Sequence, residues 1–160
     1  KHDKLLPHLT AIDLSYNRFF GRRNGIELLL AALVEGRLQP LEELNFTRCH
    51  LRDRDVELLA AHFTGALASL RKLNLSNNTI TGFGVATFFK MAQDRRALPR
   101  LRELTFNSVN VGHTTWQEVA TLLATNKHVL PSIRSLECVG AHYEINSAIV
   151  ARWKEQEFVA

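Results

Sequence analysis

The sequence is poor in the features that would commit it to chemistry or to a membrane. Cysteine occurs only at Cys49 and Cys138. The two stand at different places in the repeat described below, so neither a disulfide framework nor a thiolate metal site is expected. No stretch approaches the ~18 unbroken apolar residues of a membrane span. Blocks such as Leu28 to Val34 are broken by charge or glycine, and Lys1 to Pro7 lacks the apolar core of a secretory signal. The histidines His2, His8, His50, His62, His113, His128 and His142 show no H-E-x-x-H or comparable ligand spacing. Gly82-Phe83-Gly84 lacks the lysine and spacing of a phosphate loop, and the sequence brings no Ser-His-Asp or Cys-His set together. Catalysis, a metal and a cofactor are therefore not expected. The chain reads as intracellular.

Methionine and proline are also scarce, and their places are informative. Met91 is the only methionine, so Lys1 is not expected to be a natural start. Pro7, Pro40, Pro99 and Pro131 are the only prolines. Each stands one or two residues before a recurring phrase, where proline ends a helix and sets the chain extended for a strand. Pro7 would then close a helix lying mostly before Lys1. This reading makes the chain a piece of a longer array.

The phrase itself has eleven residues: Leu9-Thr-Ala-Ile12-Asp-Leu14-Ser-Tyr-Asn17-Arg-Phe19. It returns from Leu41, Leu70, Leu101 and Ile133, at intervals of 32, 29, 31 and 32 residues. A period of that size predicts stacked repeats, over about 9–40, 41–69, 70–100, 101–132 and 133–160. Positions one, four and six are apolar, which predicts strands at Leu9–Leu14, Leu41–Phe46, Leu70–Leu75, Leu101–Phe106 and Ile133–Cys138. Position nine holds Asn17, Cys49, Asn78, Val109 and Ala141. Inward asparagine or cysteine there would satisfy turning backbone, forming a structural ladder of Asn17, Cys49 and Asn78. Beyond Asn78 either the turns relax or Asn110 takes the role by a one-residue shift.

Helical spacing of apolar residues predicts helices over Gly25–Gly36, Asp55–Ser69, Gly84–Asp94 and Thr115–Asn126, with a fifth over about Asn146–Glu157. Asn24, Asp53 or Asp55, and Thr114 or Thr115 are the expected N-caps. Helices ~10 Å across stack less closely than strands ~4.8 Å apart, so the stack bends. Strands then line its inside and helices its outside. Phe19, Phe46, Phe63, Phe106 and Phe88 or Phe89 are expected in the core. Tyr16 is assigned to packing, with a place on the rim as the alternative.

The phrase L-x-x-L-x-L-x-x-N/C-x-L, as in Leu70-Arg-Lys-Leu73-Asn-Leu75-Ser-Asn-Asn78-Thr-Ile80, resembles the leucine-rich repeat signature. A period near thirty with alternating asparagine and cysteine is similar to the ribonuclease-inhibitor-like subfamily. The resemblance implies an α/β solenoid, a right-handed horseshoe with a parallel sheet on the concave face and helices on the convex face. It also implies a non-enzymatic scaffold that binds a protein, in a cytoplasmic or cytoskeletal assembly. A Ran-type GTPase-activating protein and an actin-capping-protein regulator are the alternatives it carries.

Positions two, three and five of each strand point out of the sheet. The expected partner contacts are Asp13, Glu42, Glu43, Asn45, Arg71, Lys72, Asn74, Arg102, Glu103, Arg134 and Glu137. Net charge is +4 with a pI near 9.4. The arginines are interleaved with acids, which ranks nucleic-acid binding last. A mixed-charge protein surface fits better.

Overall fold

In each phrase the apolar residues at positions four and six share one face of an extended chain, and that face must be covered. The computed structural model describes residues 8–18, 24–35, 40–94 and 97–138, and shows how it is covered. Strands β1 (Ala11–Asp13), β2 (Glu43–Asn45), β3 (Lys72–Asn74), β4 (Glu103–Thr105) and β5 (Ser135–Glu137) alternate with helices α1 (Gly25–Val34), α2 (Asp53–Ala60), α3 (Gly82–Asp94) and α4 (His113–Thr125). The strands form one parallel sheet in chain order. Register is position on position: Ile12, Leu44, Leu73, Leu104 and Leu136 make one row. The fold is an α/β solenoid of leucine-rich type.

Regular strand covers only positions three to five, fewer than the six residues expected. Hydrogen bonding between repeats nevertheless runs further. The position-two amides of Glu42, Arg71, Arg102 and Arg134 donate to the position-two carbonyl of the preceding repeat at 2.7–2.8 Å. At the other end, Tyr16, Arg48 and Asn77 donate to Thr47, Ser76 and Asn107. These position-eight residues, with Ser108, have left-handed backbone (φ 64°, 57°, 56° and 54°). That conformation ends the strand and turns the chain toward the helix.

The core lies between sheet and helices. Phe46, Phe63, Phe88, Phe89, Phe106 and Trp116 are buried there, as expected for the phenylalanines. Phe88 is edge-on to Phe63, Phe89 and Phe106 at centroid distances of 4.8, 5.3 and 5.5 Å. Phe19, Pro7, Ala141 and the fifth helix lie outside the described residues.

Helix boundaries depart from the sequence reading. Helix α2 ends at Ala60, not Ser69. Its repeat is the shortest, and Thr64 and Gly65 are poor helix formers. The chain therefore returns through turns that still bury Phe63 and Leu67. The N-caps are Arg52 and Gly112, not Asp53, Asp55 or a threonine, and Asn24 caps α1 in left-handed backbone without a side-chain bond. Asp53 instead reaches the next repeat, accepting from the Thr81 amide and hydroxyl at 2.8 and 2.7 Å. Gly84 is small for the same reason: a Cβ there would run into the Asp53 carboxylate.

The residues before proline also differ. Leu98 and Leu130 precede Pro99 and Pro131 with φ of 51° and 46°, in the left-handed region and not extended. Both are fully buried, and their carbonyls accept the amides of Leu101 and Ile133. Leu67 accepts from Leu70 in the same way. Core anchoring thus overrides the local preference at these turns.

Asp55 yields a pH prediction. It accepts from the Arg52 amide at 2.7 Å, but burial outweighs that bond and pushes its carboxyl above the ordinary value near 3.8. The folded chain therefore keeps this proton to higher pH than the unfolded chain. The stability it contributes is complete below the ordinary value and is lost as pH rises through the raised one. Asp55→Asn keeps an acceptor for Arg52 and is expected to remove this limb from urea midpoints measured across acid pH. An unchanged limb would assign it to another group.

Candidate functional site

Side chains at positions three and five leave the sheet on the side away from the helices. Across β1 to β4 they border a shallow cavity of about 270 Å³, with Asp13, Glu43, Asn45, Lys72, Asn74 and Glu103 among its walls. The sheet face is therefore recessed. A second depression of about 240 Å³ lies between α3 and α4, around Phe89, Lys90 and Val119.

The recessed face carries an ordered array of charge. Lys72 stands between Glu43 and Glu103 on neighbouring strands, its Nζ 3.6 Å from each carboxylate. One column over, Arg71 Nε is 3.5 Å from Glu42 Oε2. These groups are about half exposed, so each pair contributes only ~0–1 kcal/mol to stability. Folding has little need of them, and they remain accessible to another surface. Arg102 and Arg134 continue the Arg71 column and are exposed. The sheet thus brings together the expected contact residues, including Glu137 at the far edge.

Position five has an additional task. Asp13, Asn45 and Asn74 each accept, through Oδ1, the amide two residues ahead, at 2.8, 3.0 and 3.0 Å. Asp13 is held below the ordinary carboxylate range by the Ser15 hydroxyl and then the Ser15 amide. These three residues shape the turn as well as facing outward. Glu137 is different, accepting from Asn107 Nδ2 at 3.2 Å.

The ladder is built in part as expected. Asn78 is buried, and its Nδ2 donates to Phe46, Leu75 and Ser76 carbonyls at 2.8, 2.9 and 3.2 Å. Its Oδ1 accepts the amides of Cys49 and Leu51 at 3.0 and 3.1 Å. Cys49 reaches back one repeat with a single thiol bond to the Leu14 carbonyl at 3.0 Å, and burial pushes that thiol up. Asn17 donates to carbonyls of its own turn, Leu14 and Ser15, as Asn78 does to Leu75 and Ser76, and among the described residues it is exposed. Asn110 does not take over the role: its side chain is exposed and only its amide bridges, to Ile80. Val109 packs half-buried against the core, so the ladder lapses there.

Tyr16 is 66% exposed on the rim, which overturns its assignment to packing. Position eight, with Tyr16, Arg48, Asn77 and Ser108, forms a column along the edge that strand alternation does not mark. The left-handed turn decides it, and the turn depends on hydrogen bonds from the next repeat. Phe83, on the same edge, is 72% exposed.

No three of His, Cys, Asp and Glu meet in a metal-binding group among the described residues. His62 Nδ1 lies 3.0 Å from the Leu58 carbonyl, inside its own turn. Among the described residues no helix is long and apolar enough to cross a membrane.

A leucine-rich repeat family model matches residues 69–91, and a second matches residues 6–21 and 37–60. No curated protein matches the chain in sequence. Among solved structures it is similar to one titled leiomodin-1 actin-binding site 2, with a TM-score of 0.70 and 19% identity over 94% of this chain and 84% of that one. It is also similar to the tropomodulin C-terminal domain of Caenorhabditis elegans, with a TM-score of 0.66 and 14% identity over 94% of this chain and 88% of that one. At these identities the likeness is one of fold.

Proposed function

This chain is a leucine-rich repeat protein, and from that premise we propose that it is a non-enzymatic module that binds a protein on its recessed sheet face. The observation that carries the reading is the alternating array of Glu42 with Arg71 and of Glu43, Lys72 and Glu103. It contributes little to folding and is presented across adjacent strands. Charges so arranged orient a partner and speed its approach more than they add affinity. Arg102 and Arg134 give the face a basic end, where an acidic part of the partner sits.

Actin is the first partner to test, and the support for it is the actin-binding site named for the leiomodin-1 structure of like fold. With actin as the partner, the protein works in the cytoplasm on the cytoskeleton. Sedimentation with filamentous actin, and anisotropy with labelled monomeric actin, should detect binding. Replacing Arg71, Lys72, Arg102 and Arg134 together with glutamate is expected to weaken that binding at least about tenfold, or about 1.4 kcal/mol. The circular dichroism spectrum should not change. Actin binding that survived the four replacements would remove the sheet face as the site. Absence of binding by the unaltered chain would remove actin. Photocrosslinkers at Ala11 and Thr105 on the sheet, compared with one at Ala86 on the helix layer, then test the face in the presence of extract proteins.

A further inference from the structure

The edge where strands turn into helices has a different character from the sheet face. Arg18, Arg48 and Arg54 are exposed on it and carry no ion pair among the described residues. The acids nearby are engaged internally, Asp53 by Thr81 and Asp55 by the Arg52 amide. Two large exposed rings belong to the same strand-to-helix segments, Tyr16 in the turn after β1 and Phe83 in the first turn of α3. The edge is basic and aromatic, whereas the sheet face pairs its charges.

Position eight shows that these side chains are not there for the turn. Its left-handed backbone is unfavourable for a residue that carries a side chain, and asparagine tolerates it best after glycine. Repeat three places Asn77 there, while repeats one and two place tyrosine and arginine. The Arg48 guanidinium lies 5.4 Å from the centroid of the Tyr16 ring. That stacking fixes both side chains outside the core and leaves the guanidinium edge free to take a carboxylate in bidentate fashion. An ordered arginine loses less freedom on binding than a mobile one.

We infer that this loop edge is a second docking surface, for an acidic protein segment carrying apolar side chains. Tyr16 and Phe83 receive the apolar groups, and Arg18, Arg48 and Arg54 pair with carboxylates. Charge complementarity selects an anion, and the exposed rings call for an apolar component. A protein segment fits better than a continuous phosphate backbone. Asp13 and Asp53 keep carboxylates beside this edge; spaced acidic side chains can avoid them, whereas a polyanion with a charge on every unit cannot.

The test uses the whole chain and a short fluorescein-labelled peptide rich in glutamate and leucine, followed by anisotropy. Uridine homopolymer RNA and phosphatidylserine vesicles serve as the other anions. Arg48→Glu is expected to weaken peptide binding about tenfold. Tyr16→Asn is the more discriminating change. Asparagine suits the left-handed backbone, so the thermal midpoint should hold or rise while peptide binding falls severalfold. Lys90→Glu, on the helix layer, should leave binding as it was. Failure of the unaltered chain to bind the peptide would overturn the inference, as would equal binding by the Tyr16 and Arg48 variants. Tighter binding of the RNA or the vesicles through the same residues would reassign the edge to that anion. None of these outcomes bears on the sheet face, whose residues are untouched.

Discussion

Asn78→Ala is expected to lower stability by about 3 kcal/mol or more, far beyond a typical surface change. The side chain bonds five backbone groups in two repeats. Removing it leaves the Cys49 and Leu51 amides buried without an acceptor. A buried unsatisfied group costs ~1–3 kcal/mol, and water has no ready path to these two. Asn17→Ala, the same change at the same phrase position, should cost under about 1 kcal/mol, because among the described residues that side chain is exposed and its bonds lie within its own turn. Asn78→Cys should fall between, since the thiol of Cys49 shows that a single weak bond to the preceding repeat can be kept. Urea unfolding of the three variants measures all of this. Equal losses at Asn17 and Asn78 would mean that bonding between repeats is not what the asparagine supplies.

Phe88→Ala is expected to cost about 3–5 kcal/mol, the range for deleting a buried aromatic ring. Its ring is fully buried and meets rings from three repeats: Phe63 of the second, Phe89 of its own and Phe106 of the fourth. Edge-on pairs add ~0.5–1.5 kcal/mol each beyond burial. In a stacked array stability is a sum of units and of the interfaces between them. Loss of this ring weakens two interfaces at once, so the unfolding curve should broaden as the repeats uncouple. Phe88→Leu refills most of the space and should recover over half of the loss. A single sharp transition close to the unaltered midpoint would show that the core closes over the gap.

Several features of the proposed binding surfaces were legible in the phrase, because alternation along a strand needs no knowledge of neighbours. Glu43, Lys72 and Glu103 share position three, so one register placed them side by side once the strands paired. Other features were not legible. Asp13, Asn45 and Asn74 read as contacts alone, yet each also holds its own turn. Arg52 does not resemble a helix cap, but Asp55 bonds its amide from three residues ahead. Tyr16 follows the strand it belongs to, and its exposure is set by a turn that the Thr47 carbonyl of the next repeat completes.

The sequence by itself determined the solenoid, the order and register of its strands, and the row of leucines beneath the sheet. Those follow from a local apolar pattern repeated at nearly constant spacing, which only parallel stacking can bury. Tertiary structure alone decided why Leu98 and Leu130 turn left-handed before proline, and that the Asn78 side chain ties two repeats together. It also decided that Arg48 and Tyr16 of adjacent repeats stack on one another outside the core, on the strand-to-helix edge. Each of those depends on a hydrogen bond or a packing surface supplied by an adjacent repeat, and a pattern read within one repeat does not contain its neighbour.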